Sequence, residues 1–274
     1  MKKPVKKIVL LHDLCGVGKA ALTNMLPILG VMGIEACPIP TMLLSTHTGG
    51  YGQPAIAKTS AHYIKECANH YVAEKVNFDA IFIGYIGTEE LVDAVLYFIS
   101  CFPQSPVILD PIMGDHGVYY RNFDEKYGKA LGLLLPYADV VIPNLTEFCI
   151  LSGIPFSKIM KIAQLQADCK KLPLKKNAAV IITSIPTEGH KKGILLYAQG
   201  AFTLLTQKEV PFDYHGTGDA FDGVFTGAFL NENTLMDCIT KAHEFVCACI
   251  LESAGYGYQE REGLMIEKNL YMLV

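Results

Sequence analysis

The chain has 274 residues, 51% of them hydrophobic and only 18% charged, with a formal net charge of −4. That length and composition suit one large α/β unit, 1–274, whose core is buried on several faces. The small negative charge excludes the basic, counterion-releasing surface that nucleic-acid binding uses and the basic face that a membrane surface attracts.

In chain order, MKKPVKKIVLL is basic and then apolar, but the apolar run stops at His12-Asp13, too short for a signal-peptide core. The uncharged segment Ala36–Ala57 is rich in Pro, Gly and polar residues, so no membrane span is expected. Nine cysteines, with no C-x-x-C pair, lie mostly inside apolar runs. They read as small buried hydrophobes in a reducing cytoplasm.

The first strand is Lys7–Leu11, and the stretch DLCGVGKA (13–20) turns from it into a helix. A P-loop needs Gly where Asp13 stands and Ser or Thr where Ala20 stands. Without that hydroxyl Mg²⁺ lacks its usual protein ligand, so this loop is not expected to hold ATP. Helical spacing covers Ile56–Val76 and Thr88–Phe102, while Asp79–Gly84, Pro106–Asp110, Asp139–Pro143 and Ala178–Ser184 read as buried strands. Gly193–Tyr197 and Gly200–Leu205 form a hairpin, and Asp219–Leu230, Thr234–Ser253 and Gln259–Met272 are helical. The alternation predicts a mostly parallel sheet with helices on both faces and an antiparallel edge. Loop chemistry is densest at 41–53, 110–120, 143–147 and 212–220. Ligands of such sheets bind outside the carboxyl ends of the strands.

HGTGDAF (215–221) opens a helix. Gly216 and Gly218 let successive N–H groups converge, and the helix start adds positive potential. A carboxylate at the lip of this anion cradle, Asp219, fits a base that deprotonates a hydroxyl attacking phosphate; it fits a helix cap equally well. Asp110-Pro-Ile-Met-Gly-Asp115 offers two carboxylates for a hydrated Mg²⁺, or an Asp-Pro turn. Asn144 and Glu147 of NLTE form either a capping box or a phosphate and Mg²⁺ water-shell pair. Thr183 and Ser184 end a strand where hydroxyls could meet a phosphate or a base.

The ordered set DPIMGD, NLTE, ITS and HGTGDAF resembles the ribokinase superfamily, and within it the pyridoxal kinases, over nearly the whole chain. The resemblance implies a three-layer α/β/α fold and an ATP- and Mg²⁺-dependent kinase phosphorylating a hydroxymethyl group. It also implies a cytoplasmic homodimer and admits a monovalent cation. Residue by residue, it implies Asp219 as base and Gly216, Thr217 and Gly218 as the anion hole. Asp110, Asp115 and Glu147 would then be the metal-side acids, with Asn144, Thr183 and Ser184 near the nucleotide phosphates. On the vitamer side it implies Ser45, His47 and Thr48 of STHT, the ring-packing Tyr85 and the flap residue Tyr119. Many pyridoxal kinases carry a first-strand Ser on the pyridine nitrogen; here His12 and Asp13 occupy the region, and Asp13 or His12 is expected to replace that contact in the vitamer pocket. Hydroxymethylpyrimidine kinases share the fold but commonly carry Cys where Asp219 stands, so Asp219 and STHT favour a B6 vitamer. A catalytically silent vitamer or nucleotide sensor would have lost the base or the metal acids, and neither is lost.

Overall fold

The computed structural model describes residues 5–157, 161–187, 191–208 and 210–274. β1 (Lys6–Val17) passes through the glycine-rich turn into α1 (Leu22–Val31), followed by β2 (Ile34–Thr46), the short β3 (Ile56–Lys58) and α2 (Ala61–Ala73). The middle of the chain alternates: β4 (Ala80–Ile83), α3 (Glu89–Cys101), β5 (Val107–Leu109), a small hairpin of β6 (Gly114–Asp115) and β7 (Val118–Tyr119), and α4 (Glu125–Gly132). Then come β8 (Val140–Val141), α5 (Leu145–Ser152), α6 (Ile162–Cys169), β9 (Ala179–Thr187), β10 (Lys191–Ala198) and β11 (Ala201–Lys208). The helices α7 (Thr217–Leu230) and α8 (Leu235–Gly255) complete the order.

Nine strands form one sheet in the order β11-β10-β9-β8-β5-β4-β1-β2-β3. Pairing is parallel from β2 through β9 and antiparallel at both margins, where β9, β10 and β11 run as a meander and β3 covers β2. Strand alternation explains the continuous apolar runs. Val9 and Leu11 enter one core while Ile8 and Leu10 enter the other, and all four are fully buried. The first core is closed by α2 to α6, the second by α1, α7 and α8. The result is the mostly parallel, helix-flanked α/β sheet that the residue pattern predicts.

Two helix expectations are corrected. Residues Ile56–Lys58 are an edge strand, and α2 begins only at Ala61, after Ser60 accepts the Tyr63 N–H at 3.2 Å. Gln259–Met272 holds two short 3-10 turns, Glu260–Glu262 and Leu270–Leu273, in place of a helix. Gly263 there has φ 72° and packs so closely on Gly18 that a Cβ would strike its carbonyl. Strand β2 is absent from the strands expected of the sequence, because Pro38 and Pro40 argue against one. The two prolines sit two residues apart, so their missing N–H groups share one edge; they stay in register with Leu10 and His12 of β1, and the register shifts just beyond, between His12 and Leu14. All nine cysteines are free thiols. Among the described residues no helix is long and apolar enough to cross a membrane.

The order β2-β1-β4-β5-β8-β9 sets the strand ends carrying His12 and Asp13, Tyr85, Asp110, Asn144 and Thr183 side by side along one edge. Its reversal point, between β1 and β4, is where such sheets open a crevice.

Candidate active site

The first turn of α7 has no side-chain cap. Its N-cap is Gly216, in the left-handed region at φ 80°, and Asp219 falls at the third helical position. The backbone N–H groups of the GTG turn are therefore left for an anion. Gly216 is required sterically: a Cβ would strike the Lys19 carbonyl oxygen and crowd Asn24. Asn24 Nδ2 also donates to the Gly216 carbonyl at 3.0 Å. The 13–20 loop that mimics a P-loop thus lies beneath the cradle as its support.

Asp219 is not a cap. Its Oδ1 accepts from His12 Nε2 at 3.1 Å, and the Ala21 N–H also donates to the carboxylate. Burial works against its charge, but these donors outweigh it and hold its pKa below the usual carboxylate range.

Next along the edge, Asp110 succeeds β5 and is buried against Asp222, one turn beyond Asp219 on α7. Burial and the facing carboxylates raise both; Asp222 is pushed up to about 8 and Asp110 well above the ordinary range. Asp222 Oδ2 is a buried oxygen with no hydrogen-bond partner, and burial together with the facing acids favours the protonated form of the pair. No sequence motif singles out Asp222, although its spacing of three from Asp219 puts both on one helical face.

The NLTE segment forms the capping box of α5: Asn144 Oδ1 accepts from the Glu147 N–H at 3.0 Å, and Glu147 Oε2 accepts from the Asn144 N–H at 2.8 Å. It also clamps the DPIMGD loop, through Met113 N–H to Glu147 Oε1 at 3.1 Å and Asn144 Nδ2 to the Gly114 carbonyl at 2.9 Å. Glu147 spends both oxygens on backbone donors. Burial, then the nearby Asp110, keep its pKa well above the usual value.

Asp115, Asn144, Glu147, Thr183, Ser184, Gly216, Thr217, Gly218, Asp219 and Asp222 all line one cleft of about 410 Å³. Its far wall is apolar, from Ile142, Ile194, Val210, Phe212 and Ile250. Thr183 and Ser184 reach it through a bulge: between Gly193 and Leu195 the β9–β10 register shifts, and Ser184 sits at φ 57°. Among the described residues no three His, Cys, Asp or Glu side chains converge closely enough to hold a metal directly. The donor set is nonetheless all hard oxygen with buried, charge-starved carboxyls, which fits a cation that keeps most of its waters.

Most residues expected at the other end have their polar atoms committed within the protein. His12 is 1% exposed and engaged at both nitrogens: Nδ1 receives the N–H groups of Asp13 at 2.9 Å and Tyr85 at 3.1 Å. Asp13 is buried, with Oδ2 accepting the Cys15 thiol at 3.2 Å and Oδ1 lying 3.0 Å from His12 Nδ1. His47 is likewise committed, through Nε2 to the Arg261 carbonyl at 2.7 Å and Nδ1 from the Gly49 N–H at 2.9 Å. Ser45 and Thr48 are exposed at the end of β2, and Ser45 Oγ accepts the Ala55 N–H at 3.0 Å.

Tyr85 packs on Phe123 at 5.2 Å, receives Asn122 Nδ2 on its hydroxyl at 2.8 Å, and borders the apolar group Cys15, Met42 and Leu44. Tyr119 points over α4 at Gly128, whereas its neighbour Tyr120 lines the cleft.

The family model described as phosphomethylpyrimidine kinase matches residues 28–263. A pyridoxal kinase of Corynebacterium diphtheriae is 26% identical over 247 residues, 86% of this chain and 84% of that one. A Bacteroides thetaiotaomicron protein, named as a phosphomethylpyrimidine kinase and solved with pyridoxal, is 36% identical with a TM-score of 0.91 over 98% of this chain and 96% of its own. Pyridoxal kinase from Lactobacillus plantarum is 27% identical with a TM-score of 0.92, over 98% and 96%.

Proposed function

Because this chain belongs to the phosphomethylpyrimidine kinase family and has the ribokinase-like fold, we propose that it is a pyridoxal kinase, transferring the γ-phosphoryl group of ATP to the 5′-hydroxymethyl group of a B6 vitamer. The observation that carries this reading is a half-buried Asp219, held below the usual carboxylate range at an uncapped helix start, a base beside an anion cradle. The names and pyridoxal content of the relatives support the vitamer as acceptor.

In this reading the hydroxymethyl oxygen attacks the γ-phosphorus and its proton passes to Asp219. The bond from that phosphorus to the β–γ bridging oxygen breaks, and ADP leaves with the electron pair. The N–H groups of Gly216, Thr217 and Gly218 stabilise charge on the moving phosphoryl oxygens. Thr183, Ser184 and Asn144 hold the nucleotide phosphates, and the apolar wall around Ile142, Val210 and Ile250 takes the base. Asp110 and Asp115, with Glu147 behind them, would hold a hydrated Mg²⁺, aided by Asp222. Bound there, the cation neutralises phosphate charge. Tyr85, Asp13, Ser45 and Thr48 line the vitamer pocket, with His47 and Tyr119 supporting its walls. We further propose a single kinase domain over 1–274 acting in the cytoplasm as a homodimer, with room for a monovalent cation. Nine free thiols support a reducing compartment, and the pyridoxal-kinase resemblance supports the dimer.

Hydroxymethylpyrimidine is the competing acceptor. It is favoured by the family description and by a Haemophilus influenzae hydroxymethylpyrimidine/phosphomethylpyrimidine kinase 27% identical over 180 residues, 64% of this chain. The pyridoxal kinase match is longer. Initial rates with ATP and pyridoxal, pyridoxamine, pyridoxine or hydroxymethylpyrimidine decide it. The B6 vitamers are expected to be turned over faster, and a clear preference for hydroxymethylpyrimidine would sink the vitamer assignment.

A further inference from the structure

His12 stands in the sequence where a substrate contact is expected, yet it is buried behind the base. Its ring enters a slot that exists because β4 runs out at a glycine: a Cβ on Gly84 would come within 2.7 Å of the imidazole. Phe82 packs against it at 5.9 Å between ring centroids. Two backbone N–H groups, from Asp13 and Tyr85, converge on Nδ1. Asp13 Oδ1 also lies 3.0 Å from Nδ1, and Nε2 faces the carboxylate oxygen Asp219 Oδ1, an acceptor, which places a ring proton on Nε2.

We propose that His12 is a positioning residue for the kinase reaction: its Nε2–H, donated to Asp219 Oδ1 at 3.1 Å, fixes the carboxylate so that its remaining lone pairs face the incoming hydroxymethyl group. The inference rests on the reading of Asp219 as the base. A carboxylate with four lone-pair sites and no fixed donor can rotate away from a phosphate. One held by a buried donor on a β-strand, and by the Ala21 N–H beside it, cannot do so cheaply. The same donor offsets the desolvation of Asp219 and keeps it able to accept a proton. For His12 itself burial opposes charge, while the hydrogen bonds and charges of Asp13 and Asp219 favour the imidazolium and push its pKa up to about 10. The backbone donors at Nδ1 favour the neutral ring. Nε2 keeps its proton in both forms, so the bond to Asp219 survives either way.

The titratable groups facing Asp219 are His12 and Cys15 from β1, His47 from beyond β2, Asp110 from the end of β5, Tyr120 from the loop after β7, and Asp222 from its own helix. A pH profile must therefore be compared between variants that leave all of these in place. His12→Gln carries an amide N–H to about the reach of Nε2; His12→Asn stops at the depth of Nδ1. We expect His12→Asn and His12→Ala to lose roughly 10–100-fold in kcat with KM for both substrates held, the scale for loss of an orienting partner. His12→Gln should recover most of that loss. Removing the donor also raises the pKa of Asp219, so the acid limb of kcat should move to higher pH in the Asn and Ala variants and return with Gln. Carbon-13 NMR titration of the Asp219 carboxyl should move the same way. An unmoved titration in His12→Asn, or a Gln variant no better than Asn, would overturn the inference. The NMR titration reads the His12–Asp219 coupling without turnover. A wild-type protein that phosphorylates no B6 vitamer but shows the shift therefore refutes the substrate reading alone.

Discussion

At the Gly216–Asp219 end of the cleft, the groups that would meet ATP are backbone N–H groups and short carboxylates anchored at strand ends and a helix start. At the Tyr85 end, the residues that the sequence points to are mostly turned inward, with His12, Asp13 and His47 bonded to other parts of the protein. The phosphate end is built from short motifs, such as the NLTE capping box and the GTG helix start, whose character is set within a few residues. The vitamer end is assembled across β2, β1 and β4, so each side chain's role depends on which neighbour claims its polar atoms. A motif specifies the first kind of site well and the second kind poorly.

The sharpest way to break this contrast is at the base. Asp219→Asn should lower kcat by roughly 10²–10⁴, the usual worth of general-base help, while calorimetry still registers ATP binding because the backbone cradle is untouched. Turnover close to wild type would reduce Asp219 to a structural residue and erase the difference between the two ends.

A smaller effect is expected at the vitamer end. Tyr85→Ala should weaken pyridoxal binding by about 1–3 kcal/mol, the scale of a lost stacking partner, with the KM for ATP little changed. Weakened ATP with pyridoxal spared would mean that the two ends are assigned the wrong way round.

The smallest effect lies in stability and distinguishes the acidic centre from both ends. Asp222 titrates at about 8 when folded and near 4 when unfolded, so between those values the folded state binds more protons. Stability should therefore fall as pH rises from about 4 towards 8, with Asp110 and Glu147 acting in the same direction. Thermal melts from pH 5 to pH 8.5 without divalent cations should show the decline, and Asp222→Asn should flatten it. Added Mg²⁺ should restore part of the loss in the wild type, since a cation bound only by the folded state stabilises it. Identical slopes in the two proteins would remove Asp222 from the site.

Much of this molecule is legible in its residues because the physics is local. Runs such as IVLL and AIFI are apolar on both parities, which only a strand covered on both faces can satisfy. NLTE closes its own capping box, and GTG at a helix start leaves N–H groups for an anion whatever surrounds it. The wrong helix at Gln259–Met272 and the overlooked strand β2 fail for a shared reason. Gly263 takes its left-handed turn to fit against Gly18, and Pro38 and Pro40 are held in register by Leu10 and His12 of β1. Tertiary structure alone decided that His12 stands behind Asp219, that Asp222 joins Asp110, and that Lys19 and Asn24 prop the cradle at Gly216. Those partners are 207, 112 and 192 residues apart for the His12–Asp219, Asp110–Asp222 and Asn24–Gly216 pairs. What joins them is the strand order of the sheet, and no short-range pattern in the chain encodes which polar atoms it will bring face to face.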